Sequence, residues 1–115
     1  MNVSFEGLEN AVVTFQEEQV TAGYPVSMRS GATVGNAAAG VAPVGVALNT
    51  RGGCAAVQIR GFAALPYSGS APALGWTALA ADGSGGVKIP GSGEKGRECL
   101  VVQVDSQEKT VGLFL

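Results

Sequence analysis

Residues 44–61, Val-Gly-Val-Ala-Leu-Asn-Thr-Arg-Gly-Gly-Cys-Ala-Ala-Val-Gln-Ile-Arg-Gly, constrain the fold more than any other stretch of this chain. Val44, Val46 and Leu48 alternate with Gly45, Ala47 and Asn49; further on, Val57 and Ile59 alternate with Gln58 and Arg60. Side chains of a strand point to opposite faces with a period of two, so this pattern specifies two half-buried strands. Asn49, Gly52 and Gly53 lie between them, and Asn and Gly accept positive φ at low cost. The stretch therefore predicts a β-hairpin whose turn uses Asn49, Gly52 and Gly53.

The rest of the chain follows the same style. Eighteen glycines and five prolines in 115 residues favour many short strands joined by tight turns. Hydrophobic residues make up 46% but aromatics only 6%, so the core is expected to be thin and built from Val and Ala. Ala11–Gln16, Tyr24–Arg29, Thr33–Val34, Phe62–Pro66, Gly75–Ala81, Val87–Ile89, Glu98–Val104 and Thr110–Leu115 read as further strands. Glu17, Glu18 and Gln19 interrupt the first of them. Pro25 cannot donate to a ladder, so the second starts there or lies on an edge. Only Asn36–Gly40 suggests a helical turn, and it is too short to stand as a helix.

Two halves emerge. Gly23–Gly31 matches Gly75–Gly83, each with an aromatic after the first glycine and a polar-Gly turn at the end. Val44, Val46 and Leu48 match Leu100, Val102 and Val104; Val57 and Ile59 match Val111 and Leu113. The expected fold is all-β, a small antiparallel barrel or two-sheet sandwich built from two weakly similar halves, about 20–66 and 72–115. Closure would remove the edges that Val-rich strands otherwise offer for aggregation. Residues 1–19 read as an N-terminal arm and first strand, and 20–115 as a single β domain.

Charge and chemistry narrow the function classes. Charged residues make up 14%, against about 25% in soluble domains generally, which points to a face covered by a partner or a second copy. No Lys/Arg cluster exists to neutralise phosphates, so nucleic acid is not expected as a partner. With no His, the commonest general base is missing and zinc cannot find its usual ligand set. Cys54 and Cys99 read as small buried hydrophobes of a reducing compartment. Asp82-Gly-Ser-Gly-Gly and Gly91-Ser-Gly-Glu-Lys do not fit a phosphate-binding loop and read as turns. No catalytic residue, metal or cofactor is expected. Neither a signal peptide nor a membrane-spanning segment is expected, and synthesis is placed in a cytoplasm. Tyr24 and Trp76 occupy matching places after glycine; their alternatives are core plugs and a binding platform, with the core role expected.

The run Val44-Gly-Val-Ala-Leu-Asn…Gly53…Val57-Gln-Ile-Arg-Gly61…Leu65-Pro66, with Gly23-Tyr-Pro-Val upstream and Gly75-Trp downstream, resembles small β-rich proteins of tailed-phage and prophage structural modules. Those are capsid decoration or head-stabilising proteins, many catalogued as domains of unknown function. The resemblance covers roughly residues 20–115; residues 1–19 have no clear match, and the last hairpin lacks the Gly-Val-Ala-Leu spelling. It implies a non-enzymatic protein made in a bacterial cytoplasm and carried on the virion surface, bound to the major capsid protein and assembled as a homo-oligomer, often a trimer. It supplies no catalytic residues. In such a role an arm can add a strand to the shell's sheet, and Val3, Phe5, Val13 and Phe15 are its candidates. The competing expectation is a carbohydrate-binding or adhesive module, which would present an exposed coplanar pair among Tyr24, Tyr67 and Trp76.

Overall fold

The computed structural model describes residues 10–115, and every regular element in them is a strand. The first five are β1 (Ala11–Glu18), β2 (Pro25–Ser30), β3 (Thr33–Asn36), β4 (Gly45–Arg51) and β5 (Cys54–Arg60). They close into a barrel in the order β1-β3-β2-β4-β5, with β1 pairing β5 antiparallel and β3 parallel. The second five are β6 (Phe62–Pro66), β7 (Gly75–Ala81), β8 (Val87–Lys88), β9 (Arg97–Asp105) and β10 (Thr110–Phe114). They form a curled sheet in the order β6-β10-β9-β7-β8. A parallel bridge, Tyr67 to Val87, joins its two edges.

Advancing every label of the barrel by five reproduces the neighbours of the sheet. β1-β5-β4-β2-β3 becomes β6-β10-β9-β7-β8, and the parallel β1–β3 pair becomes the parallel Tyr67–Val87 bridge. The two halves share one topology, but their bounds differ from those expected. The first half begins at β1, so Val13 and Phe15 belong to a barrel wall and not to a detached arm. Phe15 packs on the barrel core, and Glu17 and Glu18 continue β1 instead of interrupting it. Val3 and Phe5 lie outside the described residues.

The central hairpin is present with a shorter turn than its sequence suggests. Arg51 pairs with Cys54, leaving Gly52 and Gly53 as the two turn residues at φ +60° and +81°. A turn with both central residues at positive φ matches the twist of the strands, and Gly enters it most readily. Asn49 is not in the turn. It pairs with Ala56 inside β4, one residue past a register shift that leaves Leu48 unpaired. A bulge of this kind hides a longer strand behind a turn-forming residue. Asn36–Gly40 forms no helix: β3 ends at Asn36, and Gly40 and Val41 exchange backbone bonds with Ala81 of β7.

Each half has its own core. Val26, Val34, Ala47, Ala55 and Val57 fill the barrel. Leu65, Tyr67, Leu79, Val87, Cys99, Val101, Val111 and Leu113 lie under the sheet. Val46, on the outer side of the barrel wall, packs into the second core and welds the halves together. Arg97 of β9 reaches across the same seam. Its guanidinium donates to the carbonyls of Val44 (2.5 Å) and Ile59 (2.7 Å). Gln58, buried at the seam, donates to Phe62 O (3.0 Å) and to Asn10 Oδ1 (3.3 Å). The molecule is a slab of 41 × 36 × 21 Å, and no helix of the described residues is long and apolar enough to cross a membrane.

Candidate interaction surface

The register of the second sheet decides which side chains meet on its outer face. Trp76 of β7 stands opposite Leu100 of β9; Leu100 stands opposite Phe114 of β10; Phe114 stands opposite Phe62 of β6. Their chain neighbours Cys99, Val101, Leu113 and Ala63 are buried, so the period of two puts these four on the opposite side. The result is an apolar row across four adjacent strands, about 15 Å long at the usual strand spacing. Phe62 and Phe114 meet edge to face, with centroids 5.5 Å apart and planes at 68°. Such pairs contribute about 0.5–1.5 kcal/mol beyond the area they bury. At the other end Trp76 is 71% exposed, and Leu74, two residues earlier, is 68% exposed.

Beside the row the same face sinks into a groove of about 630 Å³. Ala64 and Gly112, paired across β6 and β10, are its small-residue floor; Gln103, Asp105 and Thr110 line its wall. A side chain at Gly112 would press on the Phe62 ring, so this glycine keeps room for the row. Charge is sparse here. Glu98, opposite Ala78, is the acidic group nearest to Trp76 along the ladder.

Trp76 is therefore not a core plug. Leu79 is the inward residue of β7, fully buried, and lies three positions after Trp76, hence on the other face. The parity of Leu79 was the available signal. Nor do Tyr24 and Trp76 occupy equivalent places. Val26, two residues after Tyr24, is fully buried, whereas Ala78, two residues after Trp76, is exposed. The matched glycines are out of step by one, and a one-residue slip exchanges the faces of a strand. Tyr24 precedes β2, is half-buried, and lays its ring on Gly85 of the opposite half; Tyr67 is buried. These three rings do not form an exposed coplanar set. Leu74, Leu100, Phe114 and Phe62 escaped sequence reasoning because only strand pairing brings them together.

The ionisable groups in the loops are occupied structurally. Asp82 Oδ2 accepts from Ser68 Oγ (2.6 Å), and its Oδ1 accepts from the N–H groups of Ser84 (2.7 Å) and Gly86 (3.0 Å). Partial burial pushes this carboxyl up, but the three hydrogen bonds outweigh it and hold the group below its ordinary value. Glu94 accepts from Gly91 N–H (2.7 Å) and bridges Lys88 (3.0 Å), and these bonds also lower its pKa. Cys54 and Cys99 are both free thiols. Burial pushes the Cys99 thiol up, away from the reactive thiolate. Among the described residues no three His, Cys, Asp or Glu side chains come together in a way that would hold a metal ion. The outer face of the sheet thus combines an apolar row with a groove whose wall carries one acidic side chain, Asp105. No family model, no curated protein and no solved structure matches the chain.

Proposed function

We propose that this chain is a non-enzymatic structural protein that decorates the outside of a tailed-phage or prophage capsid, bound to the major capsid protein as a homo-oligomer, with a trimer favoured. The observation that carries the reading is the Trp76–Leu100–Phe114–Phe62 row with its exposed Trp76 end. An aromatic that stands 71% in solvent next to an equally bare Leu74 is poor for a free surface and suited to a docking site, since large aromatics are the usual anchors of interfaces. The resemblance of the central hairpin and of Gly23-Tyr-Pro-Val supplies the shell as partner. Low surface charge and the flat slab shape support it, because such a module can lie on a shell without an electrostatic penalty.

The test is uptake of the full chain by purified shells of the parent phage that lack it, followed by co-sedimentation, with light scattering of the free protein in parallel. Saturable uptake that Trp76→Ala weakens by about tenfold is the expected result; that factor corresponds to the roughly 1.4 kcal/mol or more of a moderate anchor residue. Unchanged uptake with Trp76→Ala removes the row as the contact. No uptake, together with Trp76-dependent binding to host polysaccharide, replaces the reading with the adhesive module.

A further inference from the structure

The strand that carries Trp76 is paired on one side only over most of its length. β8 meets β7 at Ala80 and Ala81. Gly75–Leu79, ahead of them, pairs β9 on one side and no strand of the described residues on the other. Bonds elsewhere in the sheet fix which backbone groups face that open side, because successive residues of a strand bond in opposite directions. Leu115 N–H donates to Gly61 O, so Leu115 faces β6 and Phe114 faces β9. Leu100, opposite Phe114, therefore faces β10, and Val101, Cys99 and Arg97 face their partners Gly75, Thr77 and Leu79 in β7. The far end of β7 gives the same parity: Asp82 N–H donates to Gly86 O on the β8 side, and Ala81 N–H donates to Val41 O on the other. The N–H and C=O groups of Trp76 and Ala78 thus point out of the sheet, with no hydrogen-bond partner among the described residues.

Natural edges are usually blunted by Lys, Pro or a covering segment, since a bare edge pairs with any strand that reaches it. This one is bare. Continuing the register of β8 would set Pro90 opposite Ala78, and Pro has no N–H to carry the ladder on. Leu74-Gly-Trp-Thr-Ala78 holds no charge and no proline, and Leu74 and Trp76 are both largely in solvent. The edge is also complementary to itself. A two-fold axis through Thr77 sets Trp76 of one chain opposite Ala78 of the other. Each donor then meets an acceptor, in two reciprocal pairs of backbone bonds with none left over. The side chains agree, because a large ring faces a methyl group at each pair. A foreign strand could use the backbone groups, but the copy matches both backbone and side chains without any further requirement, as a closed isologous contact does.

We propose that two copies of this chain pair through the open part of β7, antiparallel and two-fold, with Trp76 of each over Ala78 of the other. The pairing does not rest on the decoration reading: it yields a dimer, where the capsid resemblance favours a trimer. It uses the edge of the sheet and leaves the outer face of the row to a shell.

The test is the solution mass of the full chain by light scattering coupled to size exclusion, across a wide range of concentration, with circular dichroism of the same samples. Trp76 is the single tryptophan, so an exciton couplet between indoles requires two chains. A dimer is expected, with a couplet that fades as dilution separates the copies. Ala78→Pro removes an N–H that only the open edge uses and spares the β9 ladder. It is expected to weaken the dimer by about tenfold or more, since each chain loses one of its donors, and to abolish the couplet. Should this variant fail to fold, Ala78→Lys places on the edge the charge that keeps natural edges apart and serves in its stead. A monomer at every concentration overturns the pairing. A dimer that the Ala78 variants leave unchanged, or an oligomer without a couplet, also overturns it, because the contact then lies elsewhere. Shells enter none of these measurements, so the decoration reading and the pairing can fail separately.

Discussion

The barrel and the curled sheet are one topology realised twice, and they differ in how they close. In the barrel, β3 has four residues and pairs β1 over three positions. In the sheet its counterpart β8 has two residues, and closure shrinks to the Tyr67–Val87 bridge. Their cores differ in the same sense. Buried Val and Ala, with Phe15 and Ile59 packed against them, fill the barrel; Leu79, Leu113, Leu65 and Tyr67 join Val, Ala and Cys99 under the more open sheet. The lesson is that one topology can close through a ladder or through a single bridge, according to how long its closing strand is: four residues in β3, two in β8. The half that closes less completely is also the one that carries the apolar row.

The largest expected effect comes from enlarging this contrast. Leu113→Ala removes a fully buried side chain from the sheet and should cost about 3 kcal/mol, against about 2 for Val57→Ala in the barrel. Because Val46 and Arg97 tie the halves together, either substitution should shift one common transition. Denaturant unfolding followed by the emission of Trp76, the single tryptophan, and by far-ultraviolet circular dichroism should then coincide. Separate midpoints would make the halves independent folding units.

A smaller effect isolates the closure itself. A Cβ on Gly86 would run into the Pro66 carbonyl oxygen, beside the Tyr67–Val87 bridge. Gly86→Ala should therefore cost about 2 kcal/mol, the range of a forced backbone shift, and should raise amide exchange at Ser68, whose N–H donates to Val87 O. Loss of stability without faster exchange there would place the strain elsewhere.

The smallest effect concerns Asp82, which organises the turn leading into β8. Its three hydrogen bonds favour the charged form, so the folded-state pKa lies below the ordinary value of 3.8. The stability it contributes is present above that value and is lost as pH falls through the lower folded value. Asp82→Asn should cost about 1 kcal/mol at neutral pH, the charge-assisted bonds being discounted for the solvent around them. Melting curves of the two proteins should converge as the pH drops below about 4. A constant gap down to pH 2 would mean that the carboxylate charge contributes nothing.

Much of this fold was legible in the chain itself. Alternation at Val44–Leu48, Val57–Arg60 and Leu100–Val104 identified strands, Gly52-Gly53 identified a turn, and Gly61 marked the bend into β6, because side-chain direction and positive φ are local properties. The repeated order of hairpins and turns already pointed to two related halves. What the chain did not disclose depends on pairing between distant strands. The bulge that keeps Asn49 inside β4 requires Ala56 as its partner. The one-residue slip that buries Val26 and exposes Ala78 separates Tyr24 from Trp76, though both follow a glycine. Phe62, Phe114, Leu100 and Trp76 lie up to 52 positions apart, and only the register of four strands makes them one row. The sequence by itself determined strands, turns and an all-β duplication; tertiary structure alone decided which faces look outward, because face and register are fixed by the burial of a shared core and not by any residue's own preference.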